Sequence, residues 1–195
     1  MCKSAPSWKE EKGFTLLEMI VAVALFAVVM LVSVGALLSL VAASKKAQSL
    51  HLVVNNLNIA LDAMVRSIRM GSNYHCDNGS GTLTNPQDCS SGGTRLAFEP
   101  FGGDPSDASD QWVYEYNAAS GRLFRSTEGG ANPIAITAAT VDIESMNFYV
   151  VGTNSTDAIQ PRVVIVVKGK AGTDNNRTVT EFNIQSTAVQ RVLDL

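Results

Sequence analysis

The chain has 195 residues, of which 46% are apolar and only 17% charged, against about 25% charged in an average globular protein. From Met19 to Ser44 there are 26 residues without Asp, Glu, Lys, Arg or His. One such segment beside about 150 ordinary residues fits a single membrane-anchored domain and argues against a cytosolic enzyme, a polytopic transporter or a disordered chain. The formal charge of −3, with basic residues dispersed, also argues against a nucleic-acid footprint spread over the surface.

Residues 1–13 are polar and mixed in charge, ending Lys9-Glu10-Glu11-Lys12-Gly13. A secretory signal has a basic start, an apolar run of roughly 7–15 residues and then a cleavage site. Here the apolar run is too long for that, and at about 1.5 Å per residue it can span a hydrocarbon core of about 30 Å. A cut ahead of the run would leave the apolar helix on the product.

Lys12-Gly13-Phe14-Thr15-Leu16-Leu17-Glu18, followed by Met19-Ile20-Val21-Ala22-Val23, resembles the class III signal of type IV pilins and type II secretion pseudopilins. The resemblance covers about 30 residues, and glycine, phenylalanine and a glutamate four positions later, heading an apolar helix, is a rare combination. It implies that a membrane-embedded prepilin peptidase cleaves after Gly13 and N-methylates Phe14, leaving 182 residues with a charge of −4. It also implies other pilin or pseudopilin subunits and an inner-membrane assembly platform as partners. The location implied is the bacterial cytoplasmic membrane, in a single pass with the N-terminus in the cytoplasm and the C-terminal domain outside, followed by assembly into a pilus or pseudopilus. Glu18 has two readings. An ionised carboxylate in an apolar helix costs several kcal/mol without a partner, and the Phe14 amine of a neighbouring subunit would supply one and set the axial register. Alternatively the carboxylate snorkels to the interface.

The predicted organisation is a leader over 1–13, a transmembrane and assembly helix over 14–43, an amphipathic continuation over 44–71 and an antiparallel β-sheet domain over 72–195. No proline occurs between Pro6 and Pro86, and Gly35 weakens the helix by only about 1 kcal/mol. After Lys45 and Lys46 the pattern becomes one-sided: Ala47, Leu50, Val54, Leu57, Leu61, Met64 and Ile68 form a stripe at spacings of three and four. Such a stripe is either a coiled-coil seam or a face covered by the protein's own sheet. Gly71 supplies the stop.

Residues 71–94, rich in Gly, Ser, Asn and Thr, read as an extended loop containing Cys76 and Cys89. These cysteines either form a disulfide, worth on the order of 3 kcal/mol on an oxidising side of the membrane, or remain free thiols. Strands are predicted at 95–99, 111–117, 122–126, 146–151, 162–168 and 178–185, with a last strand or short helix over 187–195. Trp112, Tyr114 and Tyr116 share one face of a hairpin turning at 118–121, and Val163–Val167 reads as a central strand buried on both faces. This α+β arrangement, a long helical spine on an antiparallel sheet, is similar to the pilin ladle fold. The hairpin and the closing Phe182…Val189-Gln190-Arg191 pattern resemble a J-type or W-type minor subunit.

No catalytic set is recognisable. His51 lies in the helix and His75, beside Cys76, reads as a solvated loop side chain; neither has a nucleophile context. No cofactor motif occurs. Asp104, Asp107 and Asp110 within Gly102–Asp110 form a candidate calcium loop, since Ca²⁺ takes several oxygens from a flexible loop. The expected function is therefore structural, a minor pilin or pseudopilin. The alternative is an adhesin or DNA-uptake subunit on the same anchor, although the external Arg and Lys residues are scattered, with Arg122 and Arg125 the nearest to a cluster.

Overall fold

The computed structural model describes residues 13–154, 159–171 and 179–191. Residues 1–12 of the expected leader, Cys2 among them, Thr178 at the start of the strand expected over 178–185, and residues 192–195 of the last expected element lie outside the described residues. In chain order the elements are α1 (Leu16–Met70), β1 (Ser72–Asp77), β2 (Cys89–Gly93), β3 (Arg95–Glu99), β4 (Trp112–Asn117), β5 (Arg122–Ser126), β6 (Ile134–Ala135), β7 (Asp142–Val151), β8 (Arg162–Ala171) and β9 (Thr180–Val189). The chain divides into two units, 1–44 and 45–195.

In the first unit α1 starts at a side-chain cap. Glu18 N donates to Thr15 Oγ1 at 3.2 Å and Met19 N to the Thr15 carbonyl at 3.2 Å, so Thr15 is the N-cap. From Gly13 to Ser44 every residue is exposed. The helix is long and apolar enough to cross a membrane. The helix runs unbroken through Gly35, and Ser33 folds its hydroxyl back onto the Val29 carbonyl at 2.7 Å.

In the second unit the same helix buries Val53, Leu57, Ala60, Leu61, Met64 and Ile68. The stripe is covered by the chain's own sheets, with a shift from the expected positions: Ala47 is exposed and Val54 half-buried, while Val53 and Ala60 are inside. Leu57 to Ile68 keep their register because spacings of three and four return to one helical face. Asn56 Oδ1 adds a polar tie by accepting from Ala138 N at 3.0 Å.

Two antiparallel sheets replace the single one expected. One has five strands in the order β1-β3-β4-β5-β6, the other four in the order β2-β7-β8-β9. Segment 71–94 is thus not a plain loop, since it supplies a strand to each sheet. In the five-stranded sheet, Phe98 lies with its ring centroid 6.0 Å from Tyr114 and 6.2 Å from both Tyr74 and Trp112. The β4–β5 hairpin forms as expected, with Asn117 Oδ1 accepting from Ala119 N and Ser120 N at 3.0 and 3.1 Å and Gly121 at φ +60. Val113, on the opposite face of β4, is also covered, in a small cluster with Leu83 and Ala97.

β8 is flanked by β7 and β9, but only one of its faces is fully buried. Val163, Ile165 and Val167 are inside, whereas Val164 and Val166 are half-buried. A sheet with helix on one side leaves its other face partly solvated, and the valines there reflect strand propensity more than burial. Residues 187–189 continue β9 instead of forming a separate element.

Gly71 joins helix to sheet. A side chain there would run into the Phe98 ring and the Glu99 carbonyl. The carbonyls left open at the helix end are met by distant groups: the Tyr74 hydroxyl lies 2.7 Å from the Ile68 oxygen and 2.8 Å from that of Gly71, and Arg191 N donates to the Arg69 oxygen at 2.8 Å.

Candidate functional site

From Gly13 onward the N-terminal signal is exposed. Gly13 has no heavy atom near the position a Cβ would take, Phe14 is 78% exposed, and Glu18 sits on the first turn of α1. The Thr15 cap fixes this arrangement: Thr-x-x-Glu places Glu18 at the third helical position, where a carboxylate also suits the positive end of the helix. This cap was missed in the sequence; the signal that could have found it is threonine three residues before glutamate ahead of an apolar run. The Glu18 carboxylate makes no ion pair among the described residues.

The second feature is a staple. Cys76 and Cys89 form a disulfide with Cα atoms 5.6 Å apart. Cys76 is on β1 and Cys89 on β2, so the bond crosses from one sheet to the other. Next to it lies a buried ionic network that sequence reasoning missed. Arg95 Nε and Nη2 reach Asp77 Oδ1 and Oδ2 at 2.7 and 2.6 Å, Gly79 N donates to Oδ1 at 2.9 Å, and His75 Nε2 lies 2.9 Å from Oδ2. Burial works to raise the Asp77 carboxyl, but the bonds from Arg95, Gly79 and His75 outweigh it and hold the group below the usual carboxylate range. His75 is therefore not a solvated loop residue: it is 1% exposed on β1, and its other ring nitrogen lies 2.7 Å from the Asn85 carbonyl. The available signal was an acid and a base that become cross-strand partners, Asp77 opposite Arg95, visible only once 72–77 is known to be a strand.

The aspartate loop is organised mainly by its own hydrogen bonds. Asp104 Oδ1 accepts from Ser106 N and Oγ, and Asp107 Oδ1 from Ser109 N and Oγ, all at 2.7–2.9 Å. Asp110 Oδ2 accepts from Asp104 N at 3.0 Å. Among the described residues no group of three His, Cys, Asp or Glu side chains is disposed to hold a metal ion. Glu99 projects toward this loop: a side chain on Gly103 would strike its carboxylate, and both Glu99 oxygens and Asp110 Oδ1 are buried without a hydrogen-bond partner among the described residues. Burial, then the charges of Asp110, Asp104 and Asp107, push the Glu99 carboxyl up to about 7.

The family described as the prokaryotic N-terminal methylation motif matches residues 8–34. No curated protein and no solved structure matches the chain. The motif is the class III signal of type IV pilins and pseudopilins, and here it heads a pilin-like α+β fold. The chain is type IV pilin-like, carrying the methylation motif at the head of a pilin-like fold. The motif implies a prepilin peptidase and assembly with pilins, and the apolar helix points to inner-membrane anchoring before assembly.

Proposed function

We propose that this protein is a minor pilin or pseudopilin, a structural subunit of a type II secretion pseudopilus or type IV pilus. Residues 1–13 act as the leader; the peptidase cuts between Gly13 and Phe14 and methylates Phe14. Residues 14–43 hold the chain in the cytoplasmic membrane with the C-terminal domain outside, and later pack in the filament. Glu18 takes the Phe14 amine of a neighbouring subunit as its partner. The observation that carries this reading is the capped, exposed helix start, in which Phe14 and a glutamate without an ion-pair partner among the described residues stand four positions apart. Mass spectrometry of protein made beside an active prepilin peptidase tests it. A chain beginning at methylated Phe14 is expected, and intact residues 1–13 on the mature protein would sink the proposal.

A further inference from the structure

The fold gathers arginines that the sequence scatters. Two adjoining hollows run along α1 from Ile59 to Met70, of about 320 and 630 Å³, sharing Asp62, Arg66 and Met70. Arg69 and Arg191 line the first, and Trp112 and Arg125 the second. None of the four arginines joins an ion pair among the described residues. Arg69, in the last turn, suits the negative end of the helix, and Arg125 is engaged by Tyr114 and Trp112, which leaves Arg66 and Arg191. Asp62 is the sole acid in the lining. The floor is apolar, with Ile59 63% exposed, Ala63, Met70 and Trp112. Arg125 covers the Trp112 ring, its guanidinium carbon 5.5 Å from the centroid.

An apolar floor under a cationic rim selects an occupant that carries both an apolar side chain and carboxylates. A nucleic-acid strand suits it poorly: its phosphates offer nothing to the floor, and the chain as a whole is negative. A segment of the required chemistry occurs in this protein. Phe101 is 75% exposed at the head of the β3–β4 loop, followed by exposed Asp104 and Asp107. Each of these aspartates commits Oδ1 to its own loop, and neither makes an ion pair among the described residues. We infer that the groove receives the 101–107 loop of a second copy of this chain, with Phe101 on the apolar floor and Asp104 and Asp107 against the guanidinium rim. Guanidinium forks pair carboxylates with defined geometry, so the contact is oriented. It lies within the globular unit and does not depend on cleavage at Gly13.

The test uses the full chain in detergent, with self-association followed by sedimentation velocity. Arg66→Glu/Arg69→Glu and Asp104→Lys/Asp107→Lys are each expected to weaken association at least tenfold, and the two variants mixed together are expected to associate again. Phe101→Ser, a change at an exposed position that cannot disturb the core, is expected to weaken it as well. A thermal melt and an intact Cys76–Cys89 bond show that each variant is folded. Unchanged association in the charge variants and in Phe101→Ser would overturn the proposal, as would a mixture that stays apart. Capture of a labelled single-stranded oligonucleotide that is lost in Arg66→Glu/Arg69→Glu, with self-association unchanged, would also overturn it and assign the groove to nucleic acid.

Discussion

Cys76 and Cys89 are joined between sheets: the first belongs to the five-stranded sheet and the second to the four-stranded one. The bond does more than close the loop between them, because each cysteine is also fixed by pairing, Cys76 opposite Leu96 and Cys89 opposite Val150. Opening it leaves β2 to its pairing with β7 and to the bonds at Gln87 and Asp88 just before it. β2 has only two Cα-paired residues on β7, with a register shift between them.

Replacing both cysteines by serine is therefore expected to cost on the order of 3 kcal/mol, the loop-closure figure for a short loop. Urea unfolding with and without reductant measures it. The wild type should fall to the stability of the variant when reduced and be clearly above it when oxidised.

Arg95→Met should be more damaging than its half-exposed position implies. It leaves the buried Asp77 carboxylate with His75 and Gly79 alone, and breaking a buried pair costs about 3–5 kcal/mol. The double variant Asp77→Asn/Arg95→Met should lose less than Arg95→Met, since no charge stays behind. The lowered Asp77 carboxyl contributes stability that is present above its ordinary value of 3.8 and lost as the pH falls through the folded value. Arg95→Met should accordingly flatten the acid limb of the stability curve.

Glu99 has the opposite sign. Its carboxyl rises from an ordinary 4.5 to about 7, first through burial and then through Asp110, Asp104 and Asp107, so the folded state holds the proton more tightly than the unfolded chain does. The stabilisation is complete below about pH 4.5 and is lost as the pH rises through about 7. Glu99→Gln cannot ionise, and it should melt like the wild type near pH 5 and above it near pH 8. Identical melting at both values would remove Glu99 from the account.

Glu18→Ala should leave a folded, cleaved and membrane-inserted protein that enters filaments poorly. Insertion loses a charge that lipid disfavours, so it proceeds at least as well. What disappears, on the proposed pairing, is the partner for the Phe14 amine, and an uncompensated buried ion costs about 3–5 kcal/mol. Recovery in sheared filaments reads the effect, and wild-type recovery would show that incorporation does not need the pair.

How far the sequence could be read depended on how local each determinant is. The signal over Gly13–Glu18, the helix stop at Gly71, the hairpin turning at Asn117–Gly121 and the strand over 95–99 rest on neighbouring residues, and all are legible. β2 was not, because Cys89-Ser-Ser-Gly-Gly has almost nothing of strand composition and is held by a partner some sixty residues away. The division into two sheets follows from that same remote pairing. His75 was misplaced for a related reason: a polar residue in a polar stretch looks solvated until Asp77 and Arg95 are brought to it. The arginine groove was equally hidden, since Arg66, Arg69, Arg125 and Arg191 come from α1, β5 and the residues after β9 and meet only in three dimensions.

The bond from Arg191 N to the Arg69 carbonyl sets an order of events for synthesis and export. It spans 122 residues, so the end of the helix keeps an open acceptor until β9 has been laid beside β8. Contacts of such long sequence separation form late, because the loop they close must first be organised. A chain emerging vectorially would thus close the end of its helix only with its last strand, after the residues of β1, β3 and β4 that pack with the Val53–Ile68 stripe have already emerged.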